Sequence, residues 1–181
     1  MTPVTRRAFY ALALLVVLLD QATKAWLRAA LPLGQSLRLW PGVFHLTHTR
    51  NRGAAFSLLE GRTPWLALAA LVVVGAIIFA VEKRGARAAR LPLSLALALA
   101  LPLGGALGNF VDRVRLGYVT DMFDAVIINF PVFNVADSAI TVGIAVLLWR
   151  TLFAKDEGQI VAVNNAPGSS GVPAAEDVPA A

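Results

Sequence analysis

Two aspartates, Asp121 and Asp137, each stand beside an apolar stretch of this chain. A pair of carboxylates brought together can hydrolyse a peptide bond: one takes a proton from water while its protonated partner donates to the scissile carbonyl or the leaving amine. Like charges at close range cannot both ionise, so such a pair shares one proton over a wide pH range. The spacing of positions 121 and 137 does not by itself bring them together. Asp137 has a plain alternative, because Asn134-Val135-Ala136-Asp137-Ser138 precedes an apolar run and Asn, Asp and Ser are ordinary helix caps there. Asp121 has no such local reason. Flanked by Val119, Met122 and Phe123, it is awkwardly placed unless it faces a polar cavity.

Other polar groups also sit where charge is expensive. Asp20 and Lys24 are spaced i,i+4 with the acid first, so they share one helix face and can pair. A charge at the bilayer centre costs about 2.5–3.5 kcal/mol, and less near the edge, where these two are expected. A helix-end ion pair with a snorkelling lysine explains them as readily as a functional role. Asn109, Asp112 and Arg113 fall at i, i+3 and i+4 at the end of another apolar block. Arg113 could grip a carboxylate with two parallel bonds, which lysine cannot do, or it could close the helix end in a salt bridge. Asp124 reads as a loop residue. With no cysteine in the chain, disulfides, thiolate nucleophiles and cysteine metal sites are excluded. The two histidines, His45 and His48, make a poor zinc site, since a catalytic zinc normally takes three protein ligands. They read as ordinary surface or strand histidines, and no metal or cofactor is expected.

The elements that must position these groups are written in the hydropathy. The 181 residues are 57% hydrophobic and 15% charged, with a mean hydropathy of +0.68; soluble domains are nearer 45–50% apolar and about 25% charged. Apolar blocks cover about 8–27, 64–82, 91–111 and 138–154. About 20 helical residues cross the roughly 30 Å of hydrocarbon in a bilayer, so each block predicts one transmembrane helix. The first follows Arg6 and Arg7 like a secretory signal, but its apolar run is long and no small-x-small cleavage site follows cleanly, so a retained span is expected. Residues 32–62 differ in character. Pro32, Gly34, Pro41, Gly42, Gly53 and Gly61 punctuate them, and Val43–Thr49 alternates apolar and polar residues as a strand does. Residues 155–181 are Pro, Gly, Ala, Ser and acids without periodicity and are expected to be a disordered tail. The expected architecture is therefore one all-α polytopic membrane domain, 1–154, with four transmembrane helices and a small β-rich extramembrane segment. No internal repeat is evident.

A net charge of +5 and a pI near 10.4 could indicate nucleic acid. The basic residues flank apolar blocks instead of forming one stripe, so membrane lipid headgroups are the expected partner and nucleic acid is not. Orientation is balanced on a raw count, with eight of the sixteen basic residues on each side. The densest cluster, Lys83, Arg84, Arg87 and Arg90, lies in a short loop, which favours a cytoplasmic position for that loop and for both termini.

Five short boxes then carry a resemblance. Asp20-Gln21-Ala22-Thr23-Lys24, Asn51-Arg52-Gly53-Ala54-Ala55-Phe56, Gly108-Asn109-Phe110-Val111-Asp112-Arg113, Gly117-Tyr118-Val119-Thr120-Asp121 and Phe133-Asn134-Val135-Ala136-Asp137-Ser138-Ala139 occur in that order. In this order and at these separations they resemble the motifs of the lipoprotein signal peptidases (signal peptidase II), from the first helix through the fourth. The resemblance implies that Asp121 and Asp137 are catalytic. It also implies cleavage of bacterial prolipoproteins just before their diacylglyceryl-modified cysteine, in the plasma (inner) membrane. The active site would lie near the extracytoplasmic face, with four helices and a β-cradle.

Supporting roles are expected for the other boxes. Asn109 and Asn134 would hydrogen-bond the dyad or the substrate backbone without adding charge. Arg113 would pair with Asp112 or hold the cradle, and Asn51 and Gly53 would sit where backbone approaches peptide closely. Asp20 and Lys24 would pair structurally nearby. If Asp137 begins the fourth helix, the positive end of the dipole favours its anion, leaving the shared proton on Asp121. A small transporter or channel is the rival reading, since intramembrane acids often mark ion paths. The absence of a repeat and the clustering of polar residues at helix ends stand against it. A structural membrane scaffold without chemistry is the third reading.

Overall fold

The computed structural model describes residues 3–53, 61–84 and 90–153. The expected disordered tail, 155–181, lies outside them, as do Ala54, Ala55 and Phe56 of the second box and Arg87 of the basic loop. Helix α1 spans Arg6–Ala30, α2 Thr63–Glu82, α3 Leu93–Leu116 and α4 Val135–Phe153, and all four are long and apolar enough to cross a membrane.

Each helix has an identifiable start or stop. Thr5 caps α1, its Oγ1 accepting from Ala8 N at 3.2 Å. Pro64 stands in the first turn of α2, where its missing N–H costs nothing. Gly117, at φ 76°, ends α3 and donates its N–H to Arg113 O at 3.1 Å. Glycine is required there because a side chain in the left-handed region is strained.

Three of the helices have bounds that differ from the sequence expectation by more than a residue. α1 runs from 6 to 30 instead of 8 to 27, α3 continues to 116 instead of stopping at 111, and α4 begins at 135 instead of 138. Asp112 and Arg113 are thus inside α3, and Asp137 is inside the first turn of α4. Hydropathy marks where the oil ends, whereas the backbone ladder continues as long as its polar side chains find partners.

α3 is the central helix. Half of its most apolar window is buried (50%), against 28% for α1 and 11% for α2 and α4. Small residues permit this. A Cβ on Gly104 would lie 2.5 Å from Ala13 O, and one on Gly108 would lie 2.5 Å from Asp20 Oδ2. A Cβ on Gly105 would meet Ala136 O, and one on Gly143 of α4 would meet the Pro102 ring of α3. Small-xxx-small packing of this kind lets helix backbones approach where lipid supplies no hydrophobic drive. Outward side chains such as Leu18, Trp65, Phe79, Leu148 and Leu152 are exposed and apolar, as lipid-facing positions must be.

The extramembrane sheet has the order β2-β3-β5, all antiparallel, from β2 (Ser36–Trp40), β3 (Phe44–Asn51) and β5 (Val119–Asp124). The strand expected at 43–49 is β3, but β5 was not foreseen, and Asp124 is its last residue instead of a loop position. Asp124 accepts from Thr47 Oγ1 at 2.8 Å across the sheet. A bulge shifts the β3–β5 register between Leu46 and Thr49 and sets Thr49 opposite Asp121. At the other end of the bundle, β1 (Val4–Thr5) pairs with β4 (Arg90–Leu91), and Glu82 receives Arg6 at 2.8 Å and Tyr10 Oη at 2.7 Å.

Candidate active site

The sheet, the C-terminal ends of α1 and α3 and the N-terminal end of α4 meet at one end of the bundle, and the polar residues collect there. Strand alternation sorts β5: Val119 and Asp121 line a cavity, while Thr120 points the other way, its Oγ1 accepting from Arg28 at 2.9 Å. The cavity, about 480 Å³, is also lined by Asn51, Arg113, Asp137 and Ser138. An apolar wall of Phe130, Pro131, Val132, Phe133, Ile140 and Val142 completes it, with Thr141 among them. The fold thus brings Asp121 and Asp137 into one cavity, from β5 and α4 respectively.

Asn134 ties the two together. Its Nδ2 donates to Asp121 Oδ1 at 2.7 Å, while its Oδ1 accepts from Asp137 N at 2.9 Å and its own N–H donates to Asp137 Oδ2 at 3.2 Å. The last two bonds are a reciprocal capping box, with Asn134 as the cap and Asp137 three residues on. Asp137 is therefore not the cap itself but the acid that reaches back to it. Asn109 Nδ2 donates to Asp137 Oδ1 at 2.8 Å, and Asn51 Nδ2 donates to Asp121 Oδ2 at 3.0 Å. Every oxygen of both carboxylates receives one N–H. Asp121 is 2% exposed. Burial first, and then the neighbouring Asp137, push its carboxyl up to about 7, although the Asn51 and Asn134 bonds and the Lys24 charge pull the other way.

A second polar layer lies behind these groups. Lys24 Nζ reaches Asp20 Oδ2 at 2.8 Å, Asn109 Oδ1 at 2.9 Å and Asp112 Oδ2 at 3.4 Å. All three charged side chains are essentially inaccessible, so Asp20 and Lys24 pair, but inside the bundle and without the lysine snorkelling outward. Asp20 Oδ1 accepts from Ala136 N at 3.0 Å, fastening α1 to the first turn of α4. Asp112 Oδ2 accepts from Thr120 N at 3.0 Å, fastening α3 to β5.

Arg113 does not pair with Asp112. Adjacent helix residues point about 100° apart, so Asp112 faces α1 while Arg113 turns toward the cavity. There its Nη2 donates to Gly53 O at 3.3 Å and its Nη1 to Asn109 O at 3.4 Å. Gly53 N in turn donates to Asn51 Oδ1 at 2.9 Å, so Arg113 holds the turn that orients Asn51.

Three residues had no expected role. Gln21 Nε2 donates to Asp20, to Gly108 O and to Asp112. Thr120 and Arg28 join the Asp112 cluster. Gln21 stands inside the first box and Thr120 beside Asp121, which was the available signal. Arg28, one turn beyond Lys24, had only that spacing to mark it. His48 lies on β3 with its Nδ1 2.7 Å from Leu31 O, away from the carboxylates. Among the described residues no group of three or more His, Cys, Asp and Glu is arranged to hold a metal ion.

Fold and cavity together define a class: a four-span membrane protein with a polar cleft, two carboxylates within it, at one end of the bundle. The model of the family described as signal peptidase (SPase) II matches residues 12–153. A lipoprotein signal peptidase of Gloeobacter violaceus is 46% identical over 145 residues, covering 80% of this chain and 81% of its own. That of Halalkalibacterium halodurans is 42% identical over 162 residues, covering 87% and 99%. A bacterial membrane enzyme solved by the in meso method at 2.3 Å superposes with a TM-score of 0.74 at 30% identity, over 86% of this chain and 96% of that one. The chain belongs to the signal peptidase II family and is a multi-pass membrane protease.

Proposed function

We propose that this protein removes the signal peptides of bacterial prolipoproteins by cleaving before the diacylglyceryl-modified cysteine, with Asp121 and Asp137 as its catalytic dyad. The observation that carries the reading is the single asparagine, Asn134, which donates its side-chain amide to the Asp121 carboxylate and its backbone N–H to the Asp137 carboxylate in one cavity. Asp137, in the first turn of α4, lies where the helix dipole favours negative charge, and the raised Asp121 carboxyl takes the shared proton. Asp137 then accepts a proton from the attacking water as the oxygen adds to the scissile carbonyl carbon, and Asp121 gives its proton to the carbonyl oxygen. Collapse of the tetrahedral intermediate returns a hydroxyl proton to Asp121, while Asp137 passes its own to the leaving amine. Asn51, Asn109 and Asn134 hold the carboxylates by neutral donors, and Arg113 holds Asn51 in place through Gly53.

The apolar wall from Phe130 to Phe133 and along α4 suits a substrate that carries acyl chains beside its cleavage site. The site is assigned to the extracytoplasmic face of the plasma membrane, with both termini cytoplasmic. Incubation of detergent-solubilised protein with a lipidated prolipoprotein peptide tests the reading. Cleavage is expected from the wild type and from neither Asp121→Asn nor Asp137→Asn, both folded; cleavage surviving in either variant ends the dyad assignment.

A further inference from the structure

The dyad reading explains the asparagines that touch the carboxylates, yet leaves the buried charges behind them without a task. An ammonium has three protons to donate and no lone pair to accept with. Lys24 spends its donors on Asp20, Asp112 and Asn109, the last at 2.9 Å. Whatever atom Asn109 turns toward Lys24 must therefore be its oxygen. The amide nitrogen is then forced to the opposite side, where Asp137 Oδ1 lies 2.8 Å away. A reversed amide would set N–H against ammonium and a carbonyl against the Asp137 carboxylate. The same Asn109 oxygen also accepts from Asn134 Nδ2 at 3.2 Å, which keeps that nitrogen between Asn109 and Asp121. One buried ammonium thus dictates the direction of every amide between itself and the two carboxylates.

We propose, resting on the dyad reading, that Lys24 is a positioning residue for peptide cleavage: by holding the Asn109 oxygen it obliges Asn109 to donate to Asp137, and so keeps the shared proton on Asp121. Lys24 bonds neither carboxylate of the dyad and is wholly buried. Among the described residues Asn109 is the one side chain that bonds both Lys24 and a dyad carboxylate, and the Asn109→Ala background below separates that link from the direct pull of the Lys24 charge on Asp121. The charged groups around this relay are Asp20 and Arg28 on α1, Asp112 and Arg113 on α3, Asp121 on β5 and Asp137 itself on α4. Glutamine at position 24 offers both a donor and an acceptor, so it no longer dictates the orientation of Asn109. A carbonyl turned toward Asp137 then favours the protonated acid on that side, which is the wrong half of the dyad.

The test is a double-mutant cycle on purified full-length protein with a lipidated prolipoprotein peptide. Lys24→Gln is expected to lower kcat tenfold or more at little cost in KM, and to move the acid limb of the kcat profile to higher pH. Lys24→Arg, which keeps a charged donor, is expected to restore the acid limb. In an Asn109→Ala background Lys24→Gln is expected to cost nothing further, because the relay is already cut. Losses that multiply in the double variant, or an unmoved acid limb in folded Lys24→Gln, would overturn the proposal. Should Lys24→Gln not accumulate as folded protein, Asn109→Asp carries the same question. It still offers Lys24 an oxygen but can no longer donate an N–H to Asp137, so the acid limb must move. Asp121→Asn and Asp137→Asn run alongside. If either still cleaves, the dyad reading has failed; if both are inactive and the cycle is additive, only the positioning role has failed.

Discussion

At the scale of the residue, Asp121 is the group whose environment says most. It is buried on a strand, faces a second acid across a cavity and still receives two amide donors. Its carboxyl stands near 7 where an ordinary aspartate stands near 3.8. Between those values the folded protein holds a proton that the unfolded chain has released. Stability must therefore fall as pH rises from about 4 to about 7, and the loss is complete above 7. Asp121→Asn removes the group that titrates, so its apparent melting temperature in detergent is expected to exceed the wild-type value above pH 7 and to converge with it toward pH 4. A constant difference between the two proteins across that range would show that the burial of this charge is not what costs stability. The same proton sets the activity: if Asp121 must be protonated, kcat is expected to fall as pH rises through about 7. A profile flat to pH 9 would exclude Asp121 as the acid.

At the scale of the element, the site depends on how closely α1 lies against α3. Gly108 has Asp20 Oδ2 where a Cβ would go, at 2.5 Å, and that oxygen is held by Lys24 and Gln21 and is not free to swing away. Gly108→Ala is therefore expected to destabilise by roughly 1–3 kcal/mol through overpacking, and to slow peptide cleavage because Asp20 also holds Ala136 N beside Asp137. Gly75, in the middle of α2, has nothing within 4 Å of its Cβ position. There the alanine variant is expected to be neutral or stabilising by up to about 1 kcal/mol, since glycine is a poor helix former. Thermal unfolding of the two variants in one detergent checks the pair, and equal effects would deny the close approach.

The four helices were legible because long apolar blocks leave little choice in a bilayer, and β3 because its residues alternate. The end of α3 was not. Asp112 and Arg113 look like an exit from oil, yet Lys24, Thr120 and Gly53 satisfy them within the fold, and the helix runs on to Gly117. β5 was illegible for a different reason: six residues with no turn signals of their own form a strand only because β3 lies alongside. The candidate site divides the same way. Asp121, Asp137, Asn109 and Asn134 could be chosen from their boxes, whereas the link from Lys24 through Asn109 to Asp137 needs three helices in place.

At the scale of the whole molecule, the fold bears on the proposed orientation, which a raw count of basic residues leaves tied. The site lies at the end of the bundle where α1 and α3 finish and α2 and α4 begin, so one side of the membrane receives the sheet and the other receives the end of α2, β4 and the start of α1. Of the eight basic residues counted on the site side, Lys24, Arg28 and Arg113 belong to helices and are bonded inside the bundle. They are not loop charges, and the positive-inside bias is carried by loops and span ends. Arg38, Arg50, Arg52, Arg62 and Arg115 remain there, against Arg6, Arg7 and the Lys83-Arg84 start of the short basic loop at the opposite end, a distribution that favours the proposed extracytoplasmic placement of the sheet and the carboxylate cavity. The chain has no cysteine of its own, so single cysteines report cleanly. Gln35→Cys beside β2 and Pro3→Cys ahead of α1 are both at exposed positions. In intact cells a membrane-impermeant maleimide is expected to label the first and not the second, and after permeabilisation to label both. Labelling of Pro3→Cys alone would invert the molecule, and with it the side of the membrane from which a prolipoprotein could reach Asp121 and Asp137.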